Sequence, residues 1–437
     1  MKTLLATGSG SHTPSKAPSS IHDYFSRIDD WLMERIYDSV GRSPIRLRLG
    51  KTVEVSPADA FPIATIVIQD RKTVLDLLLD AELGFGEGYS DGRILVEGDL
   101  VTILEAVYRS ISTLGPRSWY TKLISRGLSL AKPNSLAGAR KNIHQHYVLS
   151  NDFFRLWLDS QLLYSCAYFA NASMSLEDAQ IAKMDYICRK LNLQRGEHVV
   201  DIGSGWGALG LYMAKHYGVS VRGFSISHEQ VCWARERAEE SGLNQQVEFI
   251  EDDYRNISEK CDVIVSVGML EHVGPEHYAE LGHIIDRSLA PAGRGLLQSV
   301  GRNQPRPFSP WTIKRIFPGA YAPSLGQIMG VFEPSEFSIL DVENLRHHYA
   351  KTAEHWLERF ENSTKKVAAM FGPDFVRMWR LYLAGTVAGF HVGTLQLFQI
   401  VFARNDSGQV PRTRAHLYQQ DPEAPNKRCE AHLQELE

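Results

Sequence analysis

The stretch VVDIGSGWGALG, from Val199 to Gly210, places a β-branched run directly before a turn that is rich in glycine. Three of the glycines stand at alternate positions, namely Gly203, Gly205 and Gly207. Glycine permits the positive φ angles and the close backbone approach that a tight strand-to-helix turn needs. The stretch therefore predicts a buried strand, a ligand-binding turn and a helix in succession.

From about Leu176 onward, short β-rich runs alternate with amphipathic helices. This alternation predicts an α/β fold with a doubly wound, mostly parallel sheet of the Rossmann-like kind. The runs are HVVDIGS, VSVRGFSIS, VEFIEDD, DVIVSVGM and GLLQSVG, and TLQLFQIVFA has the alternation of a further strand.

The glycine turn, taken alone, fits the dinucleotide fingerprint GxGxxA. Two features point to another ligand: Asp201 lies two residues before the first glycine, and the strand VSVRGFSIS ends without the acid that holds the ribose of NAD. An acid at this position suits S-adenosylmethionine, whose amino-acid end carries an ammonium group. A nucleotide-dependent oxidoreductase and a purely structural turn are the alternatives. Beyond Asp201, the residues predicted to contact the cofactor are Gly203, Ser204 and Gly205 at its amino-acid end, and Asp253 and Tyr254 near the adenine.

A smaller α+β unit precedes the alternating region. Residues 21–37 have helical periodicity, with Ile28 and Trp31 in the apolar stripe, and RLRLGKTVEV alternates about Gly50 as a hairpin would. The predicted organisation is a disordered tail (1–20), a small N-terminal α+β domain (21–112), a basic linker (113–143), a cofactor-binding domain (144–405) with a lid insertion near 302–340, and a C-terminal tail (406–437).

Composition and charge narrow the functional classes. A net charge of −4 and a pI near 6.5 argue against a dedicated nucleic-acid binder. The five cysteines are odd in number and lack CxxC spacing, which predicts reduced thiols in a cytoplasmic protein. No metal site is expected, because the pairs His144/His146 and His347/His348 have no Cys or Asp partners at ligand spacing. From Arg109 through Ser150 there is no acidic residue, so the linker is either a solvated tether or a surface for anionic lipid headgroups. The apolar stretch 381–403 contains glycines, a histidine and glutamines, and we do not expect it to span a membrane.

Five motifs, in order over roughly residues 140 to 403, resemble the cyclopropane fatty acid synthases and the related mycolic acid methyltransferases. The resemblance implies a class I methyltransferase fold and a reaction on the cis double bond of an acyl chain esterified in a phospholipid. The motifs are HYVLSNDFFRLWLDSQLLYSCAYF (146–169), DIGSGWG (201–207), GFSISHEQ (223–230), SVGMLEHVG (266–274) and NLRHHYAKTAEHW (344–356).

The resemblance also implies the residues of the reaction site. In that family the base is a bicarbonate held by a cysteine, a glutamate, a histidine, a tyrosine and a backbone amide. Carried over to this chain, the cysteine is Cys166, the glutamate Glu271 and the tyrosine Tyr349, and the amide belongs to Val300. The further cofactor contacts that the family implies are Tyr164, Ser165, Ser225, Ile226 and Gln230.

One position departs from the family pattern, because this chain reads LQSVG where the family reads LHTIG. Gln298 can donate a hydrogen bond to an anion, but it cannot carry a positive charge or shuttle a proton as histidine can. The carbocation that follows methyl transfer then has three outcomes: closure to a cyclopropane, loss of another proton to give a methylene branch, or hydride addition to give a methyl branch.

The resemblance therefore leads us to expect a cyclopropane-fatty-acyl-phospholipid synthase that is cytoplasmic, peripherally associated with the membrane surface, and a homodimer. A C-methyltransferase that makes branched acyl chains and a catalytically inactive lipid-binding protein are the alternatives. Aromatic residues of the lid are expected partly to line an apolar channel, and its cations to meet either a phosphate headgroup or solvent. These residues are Phe308, Trp311, Phe317 and Tyr321, and Arg302, Arg306, Lys314 and Arg315.

Overall fold

The computed structural model describes residues 21–113 and 149–418, apart from residues 52, 58–60 and 336. The predicted N-terminal tail, residues 114–143 of the predicted linker and residues 419–437 of the predicted C-terminal tail lie outside the described residues.

The N-terminal unit is a four-stranded sheet with helices packed against it. Its strand order is β2-β1-β3-β4; β1 is antiparallel to β2 and parallel to β3, and β3 is antiparallel to β4. Two aspartates begin consecutive helices, because Asp70 accepts from the amide of Thr73 and Asp80 accepts from the amides of Glu82 and Leu83. The elements are α1 (Ile21–Ser39), β1 (Arg46–Leu49), β2 (Val53–Val55), β3 (Thr65–Ile68), α2 (Arg71–Leu79), α3 (Ala81–Ser90), β4 (Ile94–Glu97) and α4 (Leu100–Thr113).

The second unit is built on a seven-stranded sheet, and its elements follow in chain order. They are α5 (Asn151–Phe154), α6 (Leu176–Lys190), β5 (His198–Ile202), α7 (Ala208–Tyr217), β6 (Ser220–Ser225), α8 (His228–Glu240), β7 (Val247–Glu251), β8 (Cys261–Val267), α9 (Tyr278–Ser288), β9 (Leu289–Gly301), α10 (Pro310–Arg315), α11 (Leu325–Ile328), β10 (Ser338–Asn344), α12 (Arg346–Phe371), α13 (Pro373–Val392), β11 (Gln396–Ala403) and α14 (Ala415–Tyr418).

The large sheet is doubly wound and mostly parallel, which confirms the predicted fold class. Its order is β10-β11-β9-β8-β5-β6-β7, with β11 antiparallel to both of its neighbours. Adjacent residues of the strand β5 face opposite sides of the sheet: Val199 joins one hydrophobic cluster and Val200 joins another. Strands buried on both faces read as continuous β-branched runs, which is why this sheet was evident in the sequence.

The two units share one hydrophobic core rather than standing apart. A single cluster of buried residues runs from Met33 of α1 to Ala388 of α13. Ion pairs reinforce the contact, with Arg306 at 2.6 Å from Glu82 and Arg315 at 2.5 Å from Glu87. Three of the four lid cations (Arg306, Lys314 and Arg315) therefore pair with carboxylates of the N-terminal unit.

Two sequence-based expectations about the end of the chain have structural outcomes. The apolar stretch 381–403 is divided between the end of α13, a turn at Gly393 with φ of +80°, and the strand β11. No helix in the described part of the chain combines the length and the apolar character that crossing a membrane would require.

Residues 406–418, predicted as tail, pack on the second unit: Leu417 is buried and Arg414 pairs with Asp341 of β10. That unit thus extends to at least Tyr418.

Candidate active site

The glycine turn after β5 has the left-handed backbone that its sequence predicts. Gly203, Gly205 and Gly207 have φ angles of +88°, +56° and +82°. A Cβ atom at Gly207 would lie 2.5 Å from Cζ of Phe249, so packing as well as conformation requires glycine there. A Cβ atom at Gly205 would have no neighbour within 4 Å, because that residue borders an open cavity.

This cavity, which we call the cofactor cavity, has a volume of about 170 Å³ and lies at the carboxyl ends of the central strands. Ligands of doubly wound sheets bind at this edge. All eleven residues predicted to contact the cofactor line it: Tyr164, Ser165, Asp201, Gly203, Ser204, Gly205, Ser225, Ile226, Gln230, Asp253 and Tyr254.

The polar groups of the cofactor cavity fit a ligand that has both charged and hydroxyl groups. Burial raises the pKa of Asp201 to about 7, and the ammonium group of Lys183 opposes that rise. Ser204 Oγ and Tyr254 Oη are buried and have no hydrogen-bond partner among the described residues. Polar groups of a bound ligand would satisfy both atoms. The carboxylate of Asp253 differs, because Arg255 contacts it at 3.1 Å.

A second cavity of about 400 Å³, which we call the acyl cavity, lies between the two units. Its walls are mainly apolar and come from the N-terminal unit, the lid, α13 and the edge of the large sheet. The lid aromatics Phe308, Trp311 and Phe317 line it, whereas Tyr321 does not. The N-terminal unit contributes side chains from its sheet and helices, including Leu47, Ile66, Leu77, Phe85, Ile103 and Val107.

The two cavities meet at four residues that line both of them, namely Tyr164, Ser165, Gly268 and His272. Tyr164 is held by a hydrogen bond of 2.6 Å between its hydroxyl group and that of Tyr382. Burial lowers the pKa of His272 to about 4, so its imidazole is neutral at pH 7. A group bound in the cofactor cavity can therefore face a chain in the acyl cavity across a neutral boundary.

The predicted reaction residues all line the acyl cavity: Cys166, Glu271, Gln298, Val300 and Tyr349. Glu271 lies in a short 3₁₀ turn after β8, and its Oε1 accepts from the backbone amide of Val300 at 2.5 Å. Its Oε2 is buried and has no hydrogen-bond partner in the described ranges. Burial raises the pKa of Glu271 to about 7. Burial also raises the pKa of the Cys166 thiol far above its usual value, so that side chain is a neutral thiol.

The backbone amide of Val300 was expected to hold a bicarbonate in the cavity. In the structure it donates to Glu271 instead. Gln298 has a defined orientation. It pairs in register with Gln399 of β11, whose Nε2 donates to Gln298 Oε1 at 2.9 Å. Because the side-chain oxygen of Gln298 is already bonded, its NH2 group is the part that can donate a hydrogen bond at the cavity wall.

Three residues of the site have no counterpart among the sequence-based predictions. Lys183 lines the cofactor cavity, and His272 and Gly268 lie at the junction. His272 and Gly268 belong to the same motif as Glu271, SVGMLEHVG, so their position next to Glu271 in the sequence could have identified them as site residues. For Lys183, a lysine in an amphipathic helix, the sequence offers no sign of burial.

The fold and the glycine-lined cavity define a class I methyltransferase that uses S-adenosylmethionine as its cofactor. Residues 134–400 match the family described as mycolic acid cyclopropane synthetase. This match covers more than half of the chain, and the chain belongs to that family.

Relatives of known description support this assignment. A probable fatty acid methyltransferase of Pseudomonas putida is 31% identical over 388 residues, which are 86% of this chain and 96% of that protein. The cyclopropane-fatty-acyl-phospholipid synthase of Escherichia coli (strain K12) is 38% identical over 329 residues, which are 75% of this chain and 85% of that protein. Among solved structures, a mycolic acid cyclopropane synthase complexed with SAH and CTAB is 30% identical with a TM-score of 0.58, covering 60% of this chain and 98% of that one.

Proposed function

We propose that this protein converts the cis double bond of an unsaturated phospholipid acyl chain into a cyclopropane ring. The observation that carries the proposal is the junction of the two cavities. The cofactor cavity opens beside Tyr164 and His272 into the acyl cavity, and the buried carboxylate of Glu271 lines the acyl cavity.

The chemistry explains why both cavities are needed. The cofactor supplies a methyl group on a sulfonium, and an alkene is a weak nucleophile that must be held in line with it. One alkene carbon bonds to the methyl carbon as the carbon–sulfur bond breaks, and the other alkene carbon becomes a cation. The new methyl group then loses a proton, and its electron pair closes the ring onto the cationic carbon. Walls of the acyl cavity exclude the water that would otherwise trap the cation.

Glu271 is the proposed recipient of the proton. Its Oε2 lacks a hydrogen-bond partner within the described part of the chain, and its pKa of about 7 suits a general base near neutral pH. The hydrogen bond from the Val300 amide holds the carboxylate in place. The same cluster has groups that fit a bicarbonate: the amide nitrogen of Gln298 can donate, and Glu271 Oε2 can accept. The Cys166 thiol, by contrast, donates to the carbonyl oxygen of Ala167. Such an anion would supply a second base at this place.

Formation of a branched acyl chain is the second candidate, and Gln298 is the observation that favours it. A neutral amide held by Gln399 cannot take part in proton transfer at this position. If the proton is lost from a chain carbon next to the cationic carbon, the product keeps a double bond in the chain and carries a methyl branch. If a hydride first shifts from the methyl-bearing carbon to the cationic carbon, and the new methyl group then loses a proton, the product carries a methylene branch.

Contact with the membrane surface is proposed through the N-terminal unit. Leu77 of α2 lines the acyl cavity, while Leu75 and Leu79 of the same helix are 53% and 73% exposed. Trp31 of α1 is 58% exposed as well. Large exposed apolar side chains of this kind mark interaction surfaces, and a bilayer here would adjoin the elements that enclose the acyl chain. In a vesicle co-sedimentation assay, the double variant Trp31→Ser/Leu79→Ser should bind vesicles several-fold more weakly than the parent protein. The control variant Leu340→Ser, which removes an exposed leucine from β10, should bind as the parent does.

The deciding experiment incubates the pure protein with vesicles of monounsaturated phospholipid and methyl-labelled S-adenosylmethionine, followed by proton NMR of the acyl chains. Upfield ring protons would support the cyclopropane product. Vinylidene protons or a new methyl signal would favour the branched product. NMR is needed because the ring and methylene products are isomers that mass alone does not separate. Absence of label from the lipid would refute both candidates.

A further inference from the structure

Helix α6 carries two buried lysines, and only one of them has a carboxylate partner. Lys183 and Lys190 are 3% and 2% exposed. Lys190 forms an ion pair with Glu343 of β10 at 2.5 Å. Lys183 has no ion pair with any described residue; its ammonium group donates to Ser165 Oγ at 2.8 Å. The buried carboxylates of Asp159 and Asp201 attract this ammonium group without forming an ion pair with it. A buried charge that lacks a direct carboxylate partner is costly, so a ligand that supplies one would be bound favourably.

The surroundings of Lys183 identify such a ligand. Lys183 lines the cofactor cavity together with Asp201, and the two side chains influence each other electrostatically. One wall of the cavity thus presents a cation and an anion that do not form an ion pair with each other. An α-amino acid is a zwitterion, and it presents the complementary pair of charges.

We propose that the ammonium group of Lys183 binds the α-carboxylate of the cofactor's amino-acid end, while Asp201 faces the α-ammonium group. The hydrogen bond to Ser165 supports this assignment. Since Ser165 Oγ accepts from Lys183, the hydroxyl proton of Ser165 remains available to donate to the same carboxylate. Gln180 of α6 holds the segment in place, because its Nε2 donates to the carbonyl oxygens of Leu163 and Ser165.

This inference concerns the cofactor alone, so it stands or fails independently of the lipid product. Its test is calorimetric binding of two ligands, S-adenosylhomocysteine and 5′-methylthioadenosine, which lacks the amino-acid end. Lys183→Met should weaken binding of S-adenosylhomocysteine about 10–100-fold, the range for losing a hydrogen bond to a charged group. Binding of 5′-methylthioadenosine should be unchanged, because that ligand never meets Lys183.

Two further variants keep the test decisive. Lys190→Met removes the other buried lysine of α6 and should leave the affinity for both ligands unchanged. Lys183→Gln keeps a donor for Ser165 without the charge, and should lose affinity for S-adenosylhomocysteine to a similar extent; it replaces Lys183→Met if that variant does not fold. Unchanged affinity for S-adenosylhomocysteine in both Lys183 variants would overturn the proposal. An equal loss for both ligands would also overturn it, since that result would assign Lys183 a purely structural role.

Discussion

Replacing the proposed base by its neutral isostere should stabilise the protein while abolishing its activity. Glu271→Gln keeps the acceptor oxygen for the Val300 amide and removes the buried charge. Turnover should fall about 10²–10⁴-fold, the usual contribution of a general base. Affinity for S-adenosylhomocysteine should stay within about twofold, because Glu271 lines the acyl cavity and not the cofactor cavity.

The size of the stabilisation follows from the pKa of Glu271. Because burial raises that pKa from 4.5 to about 7, ionising Glu271 in the folded protein costs about 3 kcal/mol more than ionising it in the unfolded chain. Below pH 4.5 both states are protonated and there is no cost. Between pH 4.5 and 7 the unfolded chain loses its proton first, so the free energy of unfolding declines, and above pH 7 the cost is complete.

Thermal unfolding of both proteins between pH 5 and pH 8 measures this difference. The midpoint of Glu271→Gln should exceed that of the parent protein by roughly 3–4 °C at pH 8 if the chain unfolds as one unit, and by little near pH 5. Glu358→Gln, at an exposed site on α12, should show no such trend. A pH-independent difference would refute the reasoning about burial, and activity retained by Glu271→Gln would refute its role as base.

Three other predictions concern the turn, the base and the departure from the family pattern. Gly207→Ala should lower the free energy of unfolding by about 2–5 kcal/mol, because alanine is strained in the left-handed conformation and its methyl group would overlap Phe249. Gly205→Ala should lower the free energy of unfolding by only about 1–2 kcal/mol. Its methyl group would enter the cofactor cavity and weaken binding of S-adenosylhomocysteine. The parent enzyme's kcat/KM should rise with pH and level off above about pH 7, as Glu271 ionises; a flat profile from pH 5.5 to 8 would contradict this. Gln298→His should raise the share of cyclopropane among the NMR products, because imidazole can carry a proton; an unchanged product ratio would show that this position does not direct the outcome.

The fold and the cofactor cavity were predictable from sequence because local rules determine them. The central strands of the large sheet are buried on both faces, so they read as apolar runs. The turn after β5 needs glycine at Gly203, Gly205 and Gly207 because its backbone is left-handed there. The reaction residues were predictable in another way, through motifs that resemble a family. The structure places these residues in one cavity, and their chemical roles stay predictions.

What the sequence did not disclose depends on packing between distant segments. Ile28 and Trp31 were assigned to the apolar stripe of the first helix, yet both are exposed, because periodicity defines a face without saying what will cover it. The shared core of the two units and the carboxylate partners of the lid cations likewise arise from contacts between residues more than 200 positions apart. Burial of Lys183 has the same origin, since Ser165 and Asp201 reach it from other segments.

The distribution of charge across the two cavities suits a reaction that creates a cation in an apolar place. The four residues at the junction carry no positive charge at neutral pH, because burial holds the pKa of His272 near 4. Tyr164 adds an aromatic ring there, and aromatic faces attract cations. The ammonium group of Lys183 donates to Ser165, one of these four residues, but Lys183 itself lines only the cofactor cavity. A developing carbocation therefore meets rings, neutral groups and the Glu271 carboxylate, which lowers its energy more than that of the neutral alkene. Protonating His272, near pH 4, would place a positive charge at this boundary. Turnover should therefore show a second decrease in acid, separate from the decrease caused by protonation of Glu271.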